Sequence, residues 1–191
     1  MSDEFEKLLI LHCSPTLLGL KQASLFSCPA VKEEEFTPLL GRYNILLNPK
    51  DIYFKVLYRC GARFYILTYR KKPMLASLKN HAVNGFLKSI GYPTQTDGTD
   101  YVEKMVLHLA GRITGCDSFP HEFGFFMGYP AQDVIAFIEN GGRNYKFCGY
   151  WKVYGNEEEA RRLFERYRKC REVLLKKAES GATVLNILGA A

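Results

Sequence analysis

The sequence lacks a hydrophobic run long enough to cross a bilayer, and it lacks a basic segment near residue 1. Its longest apolar run, near Leu8 to Leu11, falls far short of the roughly 20 residues that a membrane-spanning helix needs. Residues 1–6 are acidic, whereas a secretory signal peptide begins with basic residues. These absences predict a cytoplasmic protein that does not contact a membrane.

Close cysteine pairs and phosphate-binding glycine loops are also missing. None of the six cysteines forms a C-x-x-C pair, so we expect free thiols rather than disulfides or an iron–sulfur cluster. Without a Walker A loop or a G-x-G-x-x-G fingerprint, nucleotide binding has no support. The sequence therefore predicts a protein that uses no cofactor.

The composition is that of an ordinary globular protein. With 191 residues, of which 47 % are hydrophobic, the chain can bury a core, and we expect one domain over residues 1–191. Hydrophobic periodicity, caps and breakers predict an α+β fold. The predicted helices span 3–11, 15–27, 31–40, 73–90, 101–113, 131–139 and 157–179, the predicted strands span 51–58, 63–69, 121–127, 145–154 and 183–188, and 94–100 is a polar loop.

Cys13 directly precedes Ser14-Pro15, which is typical of a helix start because Ser is a preferred N-cap and Pro a preferred first residue. This pattern places Cys13 just outside a helix N-terminus. There the unpaired N–H groups and the helix dipole stabilise a thiolate, the reactive form of cysteine. We therefore predict that Cys13 is a catalytic nucleophile and that N–H groups at the helix start hold the oxyanion.

A cysteine nucleophile needs a base and a group that orients the base. His121 is the best candidate base, because it follows a loop and a proline and begins a predicted strand, whereas His81 and His108 lie within predicted helices. Asp133 is the leading candidate for the orienting group, since it follows His121 by one strand and one turn. The alternatives for that third member are Glu122, Asn140 and Asn144.

Each of these residues also has a purely structural interpretation. Free cysteine is often buried, so Cys13 is equally interpretable as a core thiol. His121 fits a histidine whose hydrogen bonds are satisfied beneath a loop. Asp133 fits an acidic residue of a first helical turn that complements the dipole.

The order of cysteine at a helix start, histidine on a strand and then an acid resembles the papain-like cysteine proteases. The local papain signature C-G-[SA]-C-[WY] is absent, and no glutamine precedes Cys13. The resemblance is therefore to remote members of that group. It implies a papain-like arrangement of N-terminal helices packed on a small antiparallel sheet.

The chain as a whole resembles a bacterial family catalogued as a domain of unknown function. The matching segments are His12-Cys13-Ser14-Pro15-Thr16, Leu25-Phe26, Phe119-Pro120-His121-Glu122, Gly128-Tyr129-Pro130, Asp133-Val134, Phe137-Ile138 and Gly149-Tyr150-Trp151-Lys152-Val153-Tyr154. The sequence is also similar to protease-like enzymes that form amide bonds on carrier-protein thioesters in nonribosomal peptide assembly. That similarity implies an acidic carrier protein as partner.

The predicted last helix carries eight of the 26 basic residues of a chain whose net charge is +6. Its basic residues are Arg161, Arg162, Arg166, Arg168, Lys169, Arg171, Lys176 and Lys177. An acidic partner surface would dock on such a helix. The alternative is a solvated amphipathic helix with i,i+4 pairs such as Glu158–Arg162 and Glu165–Lys169. No RNA-binding signature accompanies these charges, so a nucleic-acid partner is not expected.

The leading hypothesis is a cysteine-dependent acyl transferase that acts on an acyl thioester or peptide. Cys13 attacks the acyl carbonyl, His121 takes and returns the proton, Asp133 orients His121, and the acyl group of the acyl-enzyme thioester passes to an amine or to water.

One alternative is a non-enzymatic metal- or thiol-dependent binding protein that uses His12, Cys13 and His121. Cys28 and Cys116 have the right ligand chemistry too, but the set lacks the close pairs of structural zinc sites. The other alternative is an interaction module that binds through its basic helix.

Overall fold

The computed structural model describes residues 2–30, 33–93, 100–115 and 118–190. The chain divides into two compact units: the first comprises Met1–Lys72 and Tyr167–Ala191, and the second comprises Pro73–Arg166. Residues 94–99 of the predicted polar loop, residues 31–32 at the start of a predicted helix, and Cys116 lie outside the described residues.

The first unit contains a three-stranded antiparallel sheet in the order β1-β3-β2. Its strands are β1 (Ala23–Pro29), β2 (Tyr53–Cys60) and β3 (Arg63–Tyr69), with a register shift in β2 between Val56 and Tyr58. The β2–β3 hairpin confirms the two predicted strands, which are rich in β-branched and aromatic residues. The prediction of helix through residue 27 was wrong, because pairing of β1 with β3 determines the conformation there.

Helices complete the first unit: α1 (Ser2–Leu17), α2 (Glu33–Leu47), the last part of α8 (Glu157–Glu179) and α9 (Val184–Ile187), with a 3-10 turn at Asn48–Lys50. The Glu6 carboxylate joins three of these helices, since it accepts hydrogen bonds from the Tyr43 hydroxyl at 2.6 Å and the Val184 N–H at 3.0 Å. The buried apolar core of this unit includes Phe5, Leu9, Tyr43, Phe54 and Leu174.

Helix α1 runs unbroken through His12, Cys13 and Ser14, so the prediction of a break and a new helix start at that point was wrong. Residues 5, 9, 13 and 17 follow one another at i,i+4 spacing, and all four are buried. Packing of this face outweighs the local Ser14-Pro15 signal. Pro15 removes one helical N–H donor, and the Ser14 hydroxyl donates to the Ile10 carbonyl within the same helix.

Two other predictions for the first unit differ from the structure, one in where a helix ends and one in the type of element. Helix α2 continues past Gly41 to Leu47, because Tyr43 and Leu47 extend its buried face. The predicted edge strand at 183–188 is instead α9, which begins with a capping box in which Thr183 and Asn186 satisfy each other's backbone N–H groups.

The second unit is mainly helical. It contains α3 (Lys71–Leu78) from Pro73 onward, α4 (His81–Ser89), α5 (Tyr101–Gly115), α6 (Phe123–Phe126), α7 (Ala131–Glu139) and the first part of α8. A two-stranded antiparallel hairpin, β4 (Phe147–Cys148) and β5 (Lys152–Val153), joins α7 to α8. The predicted helices at 101–113, 131–139 and 157–179 are confirmed.

Three predicted elements of the second unit differ in the structure. The predicted helix at 73–90 is two helices, because the Asn80 side chain accepts from the Ala82 and Val83 N–H groups and so caps α4. The predicted strand at 121–127 is the short helix α6, which is buried on all sides. The predicted strand at 145–154 is the β4–β5 hairpin. Gly149, between its two strands, lies so close to the Phe164 ring that a Cβ at this position would be only 2.2 Å from the ring.

The structure therefore confirms a mixed α+β class with a small antiparallel sheet. The papain-like arrangement and the single domain over residues 1–191 stay predictions. Among the described residues, no helix combines the length and the apolar character that crossing a membrane requires.

Candidate functional site

Cys13 lies in the body of α1 and has no exposed surface. Its thiol donates a hydrogen bond to the Thr68 hydroxyl of β3, with 3.4 Å between sulfur and oxygen. Burial raises the pKa of the Cys13 thiol to about 12, although the bond to Thr68 and the charge of Lys21 act in the opposite direction. The thiol is therefore protonated at neutral pH, and the helix N-terminus that was expected to ionise it is not present.

The polar groups near Cys13 are buried and paired with one another. The Thr16 and Ser24 hydroxyl oxygens are 2.8 Å apart, and both side chains are inaccessible to solvent. Lys21 is 8 % exposed, and burial lowers its pKa to about 8. The surroundings of Cys13 thus resemble a closed core with internal hydrogen bonds, rather than an open active site.

The second unit, by contrast, contains a cavity of about 400 Å³. We call it the aromatic cavity. Its lining comes from the 119–124 segment, from Tyr129, from α7 and from the β4–β5 hairpin. The aromatic members of the lining are Phe119, Phe123, Tyr129, Phe137, Tyr150 and Trp151. The Tyr129 and Trp151 rings are stacked, with centroids 4.9 Å apart.

His121 and Asp133 both line the aromatic cavity. His121 lies in the turn before α6 and is exposed, and its ring packs edge-on against Phe137 at 5.0 Å between centroids. The structure thus brings two of the three predicted catalytic residues to one cavity in the second unit. Cys13 belongs to the first unit.

Asp133 is only 2 % exposed, and its carboxylate accepts three hydrogen bonds. Oδ2 accepts from Trp151 Nε1 at 2.7 Å, while Oδ1 accepts from the N–H groups of Tyr154 and Gly155 at 3.0 and 2.7 Å. These bonds hold the β5 end of the hairpin and the Trp151 ring against α7. Among the described residues no hydrogen bond joins Asp133 to His121, so the visible role of Asp133 is to build the cavity wall.

The alternative orienting residues make other contacts. Glu122 is buried and forms an ion pair with Arg112 Nε at 2.5 Å, while its Oε1 also accepts from the Tyr92 hydroxyl at 3.1 Å. The Asn140 side chain donates to the Ala136 carbonyl at 2.8 Å, and Asn144 donates to Asn140 at 3.3 Å. Each of these residues supports the local backbone or a neighbouring helix.

Sequence reasoning missed two residues of the aromatic cavity that carry chemistry. The Lys152 ammonium lies 4.8 Å from the Tyr145 ring centroid and 5.6 Å from that of Phe137, and it donates to the Gly142 carbonyl at 2.8 Å. Cys148 is a free, exposed thiol in the cavity wall. The aromatic density of residues 145–154 is the signal that points to this wall, although the same density is typical of a strand.

The predicted metal ligands do not form a cluster within the described residues. No group of three or more His, Cys, Asp or Glu side chains there has a geometry that could hold a metal ion. Cys116, which was one of the proposed ligands, lies outside the described part of the chain.

Ion pairs along α8 account for part of its basic charge. The predicted pair between Glu158 and Arg162 is present, and Arg168 pairs with Glu172 at 2.8 Å. Both pairs are exposed and have i,i+4 spacing, which is typical of a solvated helix surface.

A family model described as a protein of unknown function (DUF3793) matches residues 9–188. No curated protein and no solved structure matches the chain.

Proposed function

The chain belongs to the DUF3793 family, and we propose that it binds a small, largely apolar molecule in the aromatic cavity of its second unit. The observation that carries this proposal is the cavity itself, about 400 Å³ in volume and lined by six aromatic side chains. Pockets for small molecules and cofactors have volumes of about 300–1,000 Å³, and they combine apolar walls with a few polar groups. His121, Asp133 and Lys152 are the polar groups here.

The wall of the cavity is preorganised for binding. The hydrogen bond from Trp151 Nε1 to Asp133 fixes the indole ring, and Tyr129 stacks on that ring. The bonds from the Tyr154 and Gly155 N–H groups to the same carboxylate hold the end of β5. A rigid aromatic wall loses little conformational entropy when a ligand binds, so more of the contact energy contributes to affinity. Planar rings also favour stacked or edge-on contact with a flat ligand.

Cysteine-dependent acyl transfer at Cys13 stays a prediction. It requires a thiolate that a substrate can reach, whereas Cys13 is buried and its pKa is raised to about 12. Docking of an acidic carrier protein on α8 also stays a prediction. Ligand binding in the second unit needs neither of these steps.

Trp151 makes the proposal directly testable, because it is the only tryptophan in the sequence and it lies in the cavity wall. The probe is anilinonaphthalene sulfonate, an aromatic dye that accepts excitation energy from tryptophan. Titration of the wild-type protein should quench Trp151 emission in a saturable way and produce dye emission. The measurement gives a dissociation constant for a site within energy-transfer range of Trp151.

A pair of matched variants locates the site. Cys148 and Cys60 are both exposed free cysteines, but only Cys148 lines the aromatic cavity. Cys148→Phe should weaken dye binding at least about tenfold by filling the cavity, whereas Cys60→Phe should leave it unchanged. Circular dichroism of both variants checks that they are folded. Equal dye affinity in the two variants, or no saturable quenching in wild type, would contradict the proposal.

A further inference from the structure

We infer that the ligand of the aromatic cavity is an anion, such as an aromatic carboxylate, and that Lys152 is the residue that recognises its charge. This inference rests on the proposed function, since it names the chemical class of molecule that the same cavity takes. The hydrogen-bonding capacity of the polar groups in the cavity wall supports it.

Asp133 has little capacity left for a ligand. A carboxylate offers about four lone-pair positions, and three donors already occupy positions on its two oxygens. All three donors belong to the protein framework and hold the hairpin in place. A ligand that competed for them would have to break the wall of its own site.

Lys152 has capacity to spare. An ammonium group carries three N–H donors, and within the described residues one of them is used, in the bond to the Gly142 carbonyl at 2.8 Å. Two donors therefore remain for a ligand. A charge-assisted hydrogen bond from an ammonium to a carboxylate is about twice as strong as a neutral one. The cavity wall thus offers hydrogen-bond donors, and a ligand with acceptor oxygens, such as a carboxylate, complements them.

Aromatic cavities can also attract cationic ligands, because the faces of aromatic rings carry negative charge. Here the Lys152 ammonium already lies over the faces of Phe137 and Tyr145, at 5.6 and 4.8 Å from their centroids. Of these two rings Phe137 lines the cavity, so a second cation there would meet a ring that Lys152 already contacts, and the repulsion of Lys152 itself. The same charge that repels a cation stabilises an anion.

The test compares three probes with the same ring system and different charge. They are naphthoate (an anion), naphthamide (neutral) and naphthylmethyl trimethylammonium (a cation), and calorimetric titration of the full chain gives each dissociation constant. Wild type should bind naphthoate about tenfold more tightly than naphthamide, and the ammonium probe most weakly. This comparison needs no variant, so it is independent of any effect of mutation on folding.

Variants then assign the preference to Lys152. Lys152→Met should bring the naphthoate and naphthamide constants to within about twofold of each other, and Lys152→Arg should retain the preference. The matched control is Lys146→Met, since Lys146 is a lysine next to the same hairpin that also donates to a backbone carbonyl, that of Gly155, at 2.9 Å. It should leave the preference unchanged.

Three results would overturn the inference. They are equal binding of naphthoate and naphthamide by wild type, tightest binding of the ammonium probe, and an anion preference that survives in Lys152→Met. In these cases a ligand still binds, so the proposed function stands while its assigned ligand class fails. If no naphthyl probe binds and the dye does not quench Trp151, the cavity function itself is contradicted, and the inference with it.

Discussion

The surroundings of Cys13 in the first unit and the aromatic cavity in the second unit use buried polar groups in opposite ways. Around Cys13, the hydroxyl of Thr68 and the pair of Thr16 and Ser24 satisfy polar groups inside a closed core. In the second unit, Asp133 accepts three hydrogen bonds that hold a wall around empty space. A buried polar residue thus serves packing in one unit and shapes a cavity in the other.

The two regions also differ in which chemical groups a solute can reach. Cys13 has no exposed surface, whereas His121 and Cys148 are exposed residues in the cavity wall. A reactive group matters for function only where a partner molecule can contact it. The aromatic cavity of the second unit meets that condition, whereas the surroundings of Cys13 do not.

The largest expected effect is on thiol alkylation. Iodoacetamide should modify Cys60 and Cys148 in the folded protein, because both are exposed. Cys13 should react at least about a thousandfold more slowly, since its alkylation requires an opening that costs several kcal/mol, and the pKa of about 12 keeps it a thiol. Peptide mass spectrometry over time measures the three rates. Fast alkylation of Cys13 in the folded state would show that a solute can reach this thiol, as the acyl-transfer prediction requires.

The next effect concerns the support of the cavity wall. Asp133→Ala should lower the free energy of unfolding by about 3 kcal/mol, because it leaves the indole N–H and two backbone N–H groups without their acceptor. Chemical denaturation measures the change. Glu139→Ala is the control, as Glu139 is an exposed carboxylate of the same helix, and it should change stability by less than about 0.5 kcal/mol. Similar values for the two variants would mean that Asp133 does not support the wall.

A third prediction concerns the pH dependence of the closed core. Burial lowers the pKa of Lys21 to about 8 from 10.5, so between these values the unfolded chain binds more protons than the folded protein. Stability must then rise with pH in this window. Relative to Lys21→Met, wild type should gain up to about 1.4 kcal/mol for each pH unit.

The measurement for Lys21 is paired urea denaturation of the two proteins across that window. Titration of Cys13 is present in both proteins and largely cancels in the difference. The expected sign is a gain for wild type on going from neutral to alkaline pH. Parallel stability curves would show that Lys21 titrates normally in the folded protein, and the core around Cys13 would then be more open than the structure indicates.

The smallest expected effect is protection of a thiol by a ligand. A saturating concentration of naphthoate should slow the alkylation of Cys148 several-fold, because a bound ligand covers part of the cavity wall. Cys60 should react at its original rate and so serves as the internal control. Equal slowing of both thiols would indicate an effect on the reagent, and no slowing of either would place the ligand away from Cys148.

Prediction from the sequence succeeded where local signals and tertiary packing agree. The β2–β3 hairpin, α7 and α8 were predicted closely, because their residue preferences and end signals suit the places that they occupy. It failed at α1, where Ser14-Pro15 indicated a new helix start. The buried face through Phe5, Leu9, Cys13 and Leu17 carries the helix across that signal.

The candidate site was predicted in part. The sequence singled out His121 and Asp133, and both line the aromatic cavity. It could not identify Lys152, since the position of that ammonium over two rings depends on the hairpin and α7 meeting in space. It also could not tell that the carboxylate of Asp133 holds an indole and two backbone amides rather than a histidine.

By itself the sequence determined the α+β class, the β2–β3 hairpin and the amphipathic course of α8, because hydrophobic periodicity and capping residues act over a few neighbouring positions. Tertiary structure alone decided which polar side chains are enclosed and which border empty space. Burial sets the pKa of a thiol, and cavity shape sets which molecule fits. Both depend on contacts between residues far apart in the chain, such as Cys13 with Thr68 and Asp133 with Trp151.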